Sequence, residues 1–581
     1  MSLSERRGEL EQIVARALES LESDVGIPVV ERAAFDFKEE SGRRGPGGTI
    51  EPGERTNMDA AIKLADEVAC FANTPGGGAL IVGVENRTRQ LIGTELDEEW
   101  LRHQIYKKID VAPDVVPTWV EGARVLVIYV SEAPEPVENT SDQLRWRVGD
   151  HCEPVDRSEW WLRRESLGGF DPMGRATSQT IVDVTQGALE YVRRALLSDE
   201  VDRFPRDTSD RELLTAIGAL RPDGHLTRAA ALLLTPAHRA LITVSVLSIA
   251  GGEVLSRYDG APEQALIEQL RDTEQQLDLL NEATVIPDGF AERRVREIPL
   301  RAVREAILNG LIHRDWDVHE ATRVVWERFD STLRVTSPGG FTGGVSAENL
   351  LGLHHARYPA LADLFRALRL VDKQGLGIDR MYQSMITLGH RPPNIVELPG
   401  PHVECTLVGG RPVVPIVRLV EAIRPEDRQR DVRVAVILYL LLHGPFVTMD
   451  RVRSALQTDD YAARIALAAA ESTRLGATPL IVPVGSQAAW RLGADAFAAA
   501  KSTRNASALN ETMFYATTDR AALRRVVEEW LEEFSSITTT ELMELTGVSR
   551  PTASELLHEL EGDIVIQKGA GRSSRYLLLE R

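Results

Sequence analysis

The chain reads as an α+β protein of several domains, and three observations predict it. Its 581 residues exceed what one hydrophobic core can organise, which sets an expectation of roughly three to five domains. Apolar strand-like runs alternate with helical periodicity from residue 29 to about residue 410. After residue 430 the pattern changes. Two stretches, 431–456 and 523–563, share a long helix, a short helix, a turn and a second helix.

Composition narrows the classes. Hydrophobic content of 43% with 27% charged residues is ordinary for a globular protein. No apolar run is long enough to cross a bilayer, and "MSLSERRGELEQIV" reads as a charged amphipathic helix rather than a signal peptide. Cys70, Cys152 and Cys405 lie far apart and form no pair motif, so neither a zinc site nor a disulfide framework is expected. A cytoplasmic protein that does not meet a membrane is the plain expectation. The formal net charge of −20 argues against a chain coated in nucleic acid, so any such contact must come from a local basic patch.

Residues 1–24 carry Leu10, Ile13, Val14, Ala17, Leu18 and Leu21 at helical spacing. A short strand is expected in 29–42, and the Gly-, Pro- and Arg-rich stretch 41–57 reads as a loop. A helix over 58–74, a turn at 75–78, a buried strand at 79–85 and further strands at 124–130 and 144–150 complete a compact α+β domain, 1–165. A polar connector at 168–180 leads to helix, turn and helix in 208–235. Strands "ITVSVLSIAG", "TRVVWERF" and "STLRVTSPGG" then alternate with helices at 302–313, 359–369 and 377–388, giving a second, α/β domain over 180–408. The Pro-containing segment 409–427 reads as a linker to two C-terminal domains, 428–500 and 520–581. In the last, Thr539 or Thr540 caps the short helix, Gly547 turns, and Ser549 caps a helix with Pro551 in its first turn. Two strands around a glycine-bearing tip (564–580) finish a winged helix-turn-helix pattern.

The stretch "REAILNGLIHRDW" carries the densest chemistry. Glu305 and Asn309 stand one turn apart on one helix face. A carboxylate there can orient water as a base, and the amide oxygen can ligate Mg²⁺. The strand 331–340 ends in Gly339–Gly340, and "KQGLGIDRM" sets Gly375 and Gly377 before a helix whose free amides suit a phosphate. A Gly-x-x-x-x-Gly-Lys-Ser/Thr loop is missing, so P-loop nucleotide binding is not expected. His354, His355 and His443 share no ligand spacing and read as structural.

In this order the three elements resemble the GHKL nucleotide-binding fold of histidine kinases, gyrases and Hsp90, an α/β sandwich. The variant "REAILNGLIHRDW…SPGGF…GLGIDRM" looks like the helicase-annotated ATPase-like domain of bacterial proteins that also carry a Schlafen AlbA domain. The resemblance implies ATP or ADP with Mg²⁺: Glu305 activating water, Asn309 holding the ion, and Gly339, Gly340, Gly375 and Gly377 contacting the nucleotide. The family's Asp-x-Gly-x-Gly box is replaced here by "SPGG", with Asp330, nine residues earlier, a distant substitute. Adenine binding is implied, and hydrolysis by a weak ATPase stays open.

A second resemblance lies upstream. "ERAAFDFKEE…VACFANTPGGGALIVGVEN…RWRVGD" looks like the Schlafen AlbA domain over about 130 residues. Some members are metal-dependent RNases. Carried over, their cluster is Glu31, Asp36 and Asn86, the last where an aspartate is expected, with Lys38 after the second acid; Mg²⁺ or Mn²⁺ would be held by Glu31 and Asp36. The alternative makes these acids polar positions of a nucleic-acid-binding face. Glu85, beside Asn86, is expected to point to the opposite face of a strand.

Basic candidates for phosphate contact are Arg43, Arg44 and Arg55 in the glycine-rich loop, Arg145 and Arg147 on the last strand, Arg550 on the recognition helix, and Lys568, Arg572 and Arg575 in the wing. That helix also carries Glu555, Glu559 and Glu561, which favours a protein contact as the alternative. The sequence thus points to a cytoplasmic, nucleotide-responsive, DNA-binding transcriptional regulator of the Schlafen AlbA type. A metal-dependent nuclease acting on RNA, tRNA or DNA, in phage defence, is the competing class, and a scaffold that only dimerises is the third. Expected partners are nucleic acid, DNA ahead of RNA, and a second copy in a homo-oligomeric dimer.

Overall fold

The protein is described by a computed structural model covering residues 3–22, 34–43, 49–86, 88–148, 151–166, 171–197, 204–288, 291–352, 355–371, 377–502, 512–569 and 574–579. It is a mixed α+β, multidomain chain folded as two compact units. The first comprises Met1–Arg239, Ala261–Gln269 and Tyr358–Gly375; the second comprises Ala240–Gly260, Leu270–Arg357 and Leu376–Arg581.

In the first unit, strands β1 (Phe35–Lys38), β2 (Gly78–Val82), β3 (Asp114–Val120) and β4 (Ala123–Val130) form a sheet of order β1-β2-β4-β3. β1 runs parallel to β2, with Phe35 opposite Ala79, and the remaining pairs are antiparallel. Helix α1 (Leu3–Glu22) covers one face: Ile13, Val14 and Ala17 pack with Phe35, Phe37, Ala79, Ile81 and Val127. Helices α2 (Met58–Asn73) and α3 (Glu98–Ile109) cover the other through Leu64, Val68, Phe71, Leu101 and Ile105, against Leu80, Val82, Leu126 and Ile128. Covering both faces explains why "GALIV" is an unbroken apolar run rather than an alternating one.

Two expectations change here. The strand expected at 144–150 is Arg145–Val148, and it pairs with His151–Pro154 in a separate hairpin instead of joining the main sheet. The helix Pro359–Ala367, expected in the second domain, belongs to the first unit. Buried charge fixes it there. Arg157 bridges Glu138 and Asp363, with Arg157 Nη1 2.6 Å from Asp363 Oδ1, and the Trp161 indole N–H donates to the same carboxylate at 3.2 Å.

The second unit is built on a six-stranded sheet. Its strands are β5 (Ile242–Leu247), β6 (Val254–Asp259), β7 (Thr322–Glu327), β8 (Thr332–Pro338), β9 (Asn394–Leu398) and β10 (His402–Val408), in the order β6-β5-β7-β8-β10-β9. Only the β5–β7 pair is parallel. Helix α4 (Leu300–Ile312) lies on this sheet, so close that a Cβ on Gly310 would sit 3.0 Å from Val335 Cγ1. Of the conspicuous "HRDW" residues, Arg314 and Trp316 are structural: the buried Arg314 guanidinium binds Thr322 Oγ1 at 3.1 Å and the Val318 carbonyl, and lies over the Trp316 ring.

The expected linker, 409–427, contains a helix, Val414–Glu421, whose Ile416, Val417, Leu419 and Val420 are buried. Pro415 sits in its first turn, where a missing N–H costs nothing. Beyond it, helices Val432–His443, Met449–Ala455 and Asp460–Ser472 with strands Val447–Thr448, Ile481–Pro483 and Ala489–Leu492 form one body. Helices Arg520–Glu533, Thr539–Thr546 and Arg550–Glu559 with strands Ser536–Ile537, Val565–Lys568 and Arg575–Leu578 form the next. The short helix is capped by Thr538, in a reciprocal pair with Glu541, rather than by Thr539 or Thr540; Gly547 and Ser549 act as expected. These bodies pack on each other through one core. Phe446 packs edge-on against Trp530 at 4.9 Å, and the Tyr515 hydroxyl donates to the Leu441 carbonyl within one shared core.

Candidate functional site

The first candidate lies on α4. Helix α5 (Gly377–Ile386) begins against it: a Cβ on Gly377 would come 2.5 Å from Glu305 Oε2 and 3.7 Å from Asn309 Nδ2. A side chain at this position would have to push the Glu305 carboxylate aside. Glu305 is buried, and burial pushes its carboxyl above the usual range, against the opposing charges of Arg380, Arg301 and Arg304. Among the described residues the buried Asn309 Nδ2 has no hydrogen-bond partner, and such a polar atom suits a ligand-binding amide. Gly375 lies outside the described residues.

Gly339 and Gly340 meet a different environment. Gly339 is left-handed (φ +98°) with Asp315 against it, and Gly340 abuts the Glu397 carboxylate. Arg357, which donates to the Gly340 carbonyl and the His313 carbonyl, is 3.8 Å from Asp315. Two carboxylates beside this turn oppose an anionic ligand. The turn therefore supports backbone geometry more directly than phosphate binding. Asp330 is exposed at the other end of β8, seven residues from Ser337, so it does not replace the missing box aspartate.

In the first unit Asp36 is buried between two cations. Lys38 Nζ is 3.1 Å and Arg147 Nη1 3.4 Å from Asp36 Oδ2; Lys38 also holds Glu67 at 2.6 Å. Burial opposes the charge of Lys38, but Asp36 and Glu67 outweigh it and raise its pKa. Glu67, on α2, was not legible in the sequence because only the fold brings that helix over β1. Glu31 lies outside the described residues. Asn86 is exposed four residues past β2, whereas Asp36 stands opposite Leu80. Among the described residues no three His, Cys, Asp or Glu side chains converge as a metal site. Glu85 is not on a strand; its carboxylate accepts from the Thr88 backbone N–H. Asn73, from "FANT", clamps the backbone at Val137 and Arg145.

Two expected phosphate contacts are corrected by burial. Arg43 folds inward, donating to the Glu51 carbonyl at 2.7 Å beside the fully buried Glu40. Arg147 donates to the Phe35 carbonyl and covers the Phe71 ring. Arg145 is partly buried on the Cys152 carbonyl, Arg55 is exposed beside Asp97, and Arg44 and Arg572 lie outside the described residues. The cysteine expectation is also overturned. Cys70 and Cys152 form a disulfide: α2 and the hairpin bring their Cα atoms to 6.2 Å across 82 residues of sequence, a proximity that spacing conceals.

At the C-terminus the cations stay outside. Arg550 is exposed at the start of its helix, and Lys568 and Arg575 are exposed directly opposite each other on the hairpin. Like charges so placed repel and favour an anion between or above them. The acids of the Arg550–Glu559 helix are partly neutralised from a neighbouring helix, with Arg520 2.8 Å from Glu555 and 3.5 Å from Glu559.

The chain thus joins an N-terminal α+β module, a module built on the six-stranded sheet and a C-terminal helical body, and the comparisons divide it similarly. Residues 31–156 match the family described as Schlafen, AlbA_2, and residues 322–404 that described as putative ATP-dependent DNA helicase recG C-terminal. Residues 414–501 match a family of unknown function (DUF5635), and residues 518–579 match transcriptional regulator DIP2311-like, C-terminal domain. The chain belongs to the family of the DIP2311 protein from Corynebacterium diphtheriae. It is 48% identical to that protein's crystal structure, with a TM-score of 0.83 over 98% of this chain and 100% of the other. The solution structure of the N-terminal domain of a putative ATP-dependent DNA helicase RecG-related protein from Nitrosomonas europaea is 24% identical over 20% of this chain and 71% of that one, with a TM-score of 0.14, and adds no argument. No curated protein sequence matches the chain.

Proposed function

We propose that the chain is a cytoplasmic, DNA-binding transcriptional regulator whose C-terminal body, read as a winged helix, contacts duplex phosphates through Arg550, Lys568 and Arg575. The observation that carries this reading is the exposed Lys568–Arg575 pair, with Arg550 exposed at a helix start of the same body, within the segment that matches the DIP2311-like regulator domain. With a net charge of −20, such a patch decides whether DNA is held at all. The helicase-type family matched by residues 322–404 and the match to Schlafen AlbA_2 agree with a protein that meets nucleic acid. A second copy of the chain, pairing two such bodies on one duplex, completes the proposal.

Nucleotide response belongs to the same proposal. Bound at α4 and α5, a Mg²⁺–nucleotide would be held by Asn309 and by the amides that begin α5. Glu305, its carboxyl raised by burial, would hold or take a proton beside it. Metal-dependent cleavage is left aside, because Asp36 is already balanced by Lys38 and Arg147. The test is fluorescence anisotropy with duplex DNA. Arg550→Ala should weaken binding about tenfold, in line with a loss of about 1–2 kcal/mol at a charge-assisted contact, and equal affinity for wild type and variant would refute the reading. For the nucleotide, calorimetry should show Mg²⁺-dependent ATP binding that Asn309→Ala abolishes in a folded protein.

A further inference from the structure

The disulfide closes a ring of contacts around Asp36. Cys152 stands directly opposite Arg147 in the hairpin ladder, so the bridged cysteine and the arginine on Asp36 are cross-strand partners. From Cys152 the ring runs to Glu67 (Sγ to Oε2, 3.6 Å), to Lys38 (2.6 Å), to Asp36 (3.1 Å), and back to Arg147 (3.4 Å). A two-stranded hairpin is marginal on its own. This one is fastened to α2 by the Asn73 amide on the Arg145 carbonyl, by the Arg147 N–H on Thr74 Oγ1, and by the disulfide, its one covalent tie among the described residues.

The two sulfurs differ in access. Cys70 is 1% exposed in α2, whereas Cys152 is partly exposed on the hairpin's second strand. Disulfides in cytoplasmic proteins are chiefly transient, catalytic or redox-sensing, because the compartment keeps thiols reduced. We propose that Cys70–Cys152 is a reversible thiol-modification site, opened by a dithiol reductant, that holds Arg147 on Asp36 when closed and frees the hairpin as a phosphate-binding face when open. The ring geometry carries this inference; its placement in a reducing compartment rests on the regulator reading.

The chemistry balances as thiol–disulfide exchange. A reductant thiolate attacks Cys152 Sγ, the accessible sulfur. The Cys70–Cys152 bond breaks, and Cys70 leaves as a thiolate that takes up a proton. The reductant's second thiol then attacks its own sulfur in the mixed disulfide, forming the oxidised reductant and releasing Cys152 as a protonated thiol. Two electrons pass from the dithiol to the cysteine pair.

Three readouts on the full chain test the proposal. Maleimide labelling followed by mass measurement under denaturing conditions should count one thiol before treatment, Cys405, and all three cysteines after dithiol treatment of the native protein. Hydrogen exchange over residues 144–148 and 151–154 should rise about tenfold on reduction, as local opening becomes easier, while α3 is unchanged. The reduced form should bind a labelled duplex oligonucleotide about threefold more tightly, as Arg147 becomes a phosphate contact. Cys152→Ser should show the high exchange with or without reductant. A thiol count that stays at one until the chain unfolds, unchanged exchange after reduction, or equal affinity of both forms would each overturn the proposal. A chain that binds no oligonucleotide in either form fails the regulator reading instead, and the thiol count and exchange still decide whether the bridge is reversible.

Discussion

The N-terminal module and the C-terminal body hold similar basic residues to opposite ends. In the module, Arg43 and Arg147 turn inward, onto Glu40 and the Glu51 carbonyl in one case and onto Asp36 in the other. In the body, Lys568 and Arg575 face solvent as cross-strand neighbours, while Arg520 and Arg524 pair with acids on and beside the helix Arg550–Glu559. An arginine's contribution is therefore decided by which carboxylates the fold brings to it. Inward arginines support the fold, and outward ones are left for a ligand.

The largest expected effect follows from breaking an inward pair. Arg147→Ala leaves Asp36 buried with Lys38 as its remaining cation and should cost the first unit about 3 kcal/mol. Denaturant unfolding of the oxidised protein measures this. A normal unfolding midpoint combined with weakened nucleic-acid binding would reverse the comparison and make the hairpin a contact surface already in the closed form.

The next effect concerns a half-buried acid of the second unit. Burial first, and then the charge of Asp431, push Asp379 from its ordinary 3.8 up to about 6, with Arg433 opposing. The folded pKa is the higher one. The stability tied to this group is therefore fully present below pH 3.8 and is lost as pH rises through about 6. Asp379→Asn should match wild type near pH 4 and exceed it at pH 8 by about 1–3 kcal/mol. Thermal unfolding across that range checks the sign, and a variant less stable at pH 8 would show the carboxylate to be favourably paired.

The smallest effect is at Arg55, whose side chain is 78% exposed beside Asp97. Arg55→Ala should change stability by less than about 0.5 kcal/mol, as exposed ion pairs do. A larger loss in thermal unfolding would place Arg55 with the inward group.

Much of the fold was legible because periodicity survives in the sequence: the buried run 79–82, the α1 face and the cap residues Gly547 and Ser549 all lie where patterning placed them. The helix Val414–Glu421 was missed because Pro415 drew more weight than the spacing of Ile416, Leu419 and Val420, although a first-turn proline is harmless. Long-range pairings left no such trace. Nothing in the spacing connects Cys70 with Cys152, Arg147 with Asp36, or Arg157 with Asp363, since each pair depends on a register set by other residues. At α4 the facing of Glu305 and Asn309 was legible from their separation, but the approach of Gly377 and the orphaned Asn309 amide required coordinates.

The central claim is that the outward cations of the C-terminal body, and not the inward ones of the N-terminal module, hold nucleic-acid phosphates in the oxidised protein. Salt titration of duplex binding by wild type, Lys568→Ala with Arg575→Ala, and Arg43→Ala tests it most directly. Removing one cation from a phosphate should reduce the slope of log K against log salt by about 0.9. The expected result is a slope lower by about 1.8 for the double variant and an unchanged slope for folded Arg43→Ala. An unchanged slope in the double variant, or a reduced one in Arg43→Ala, would contradict it.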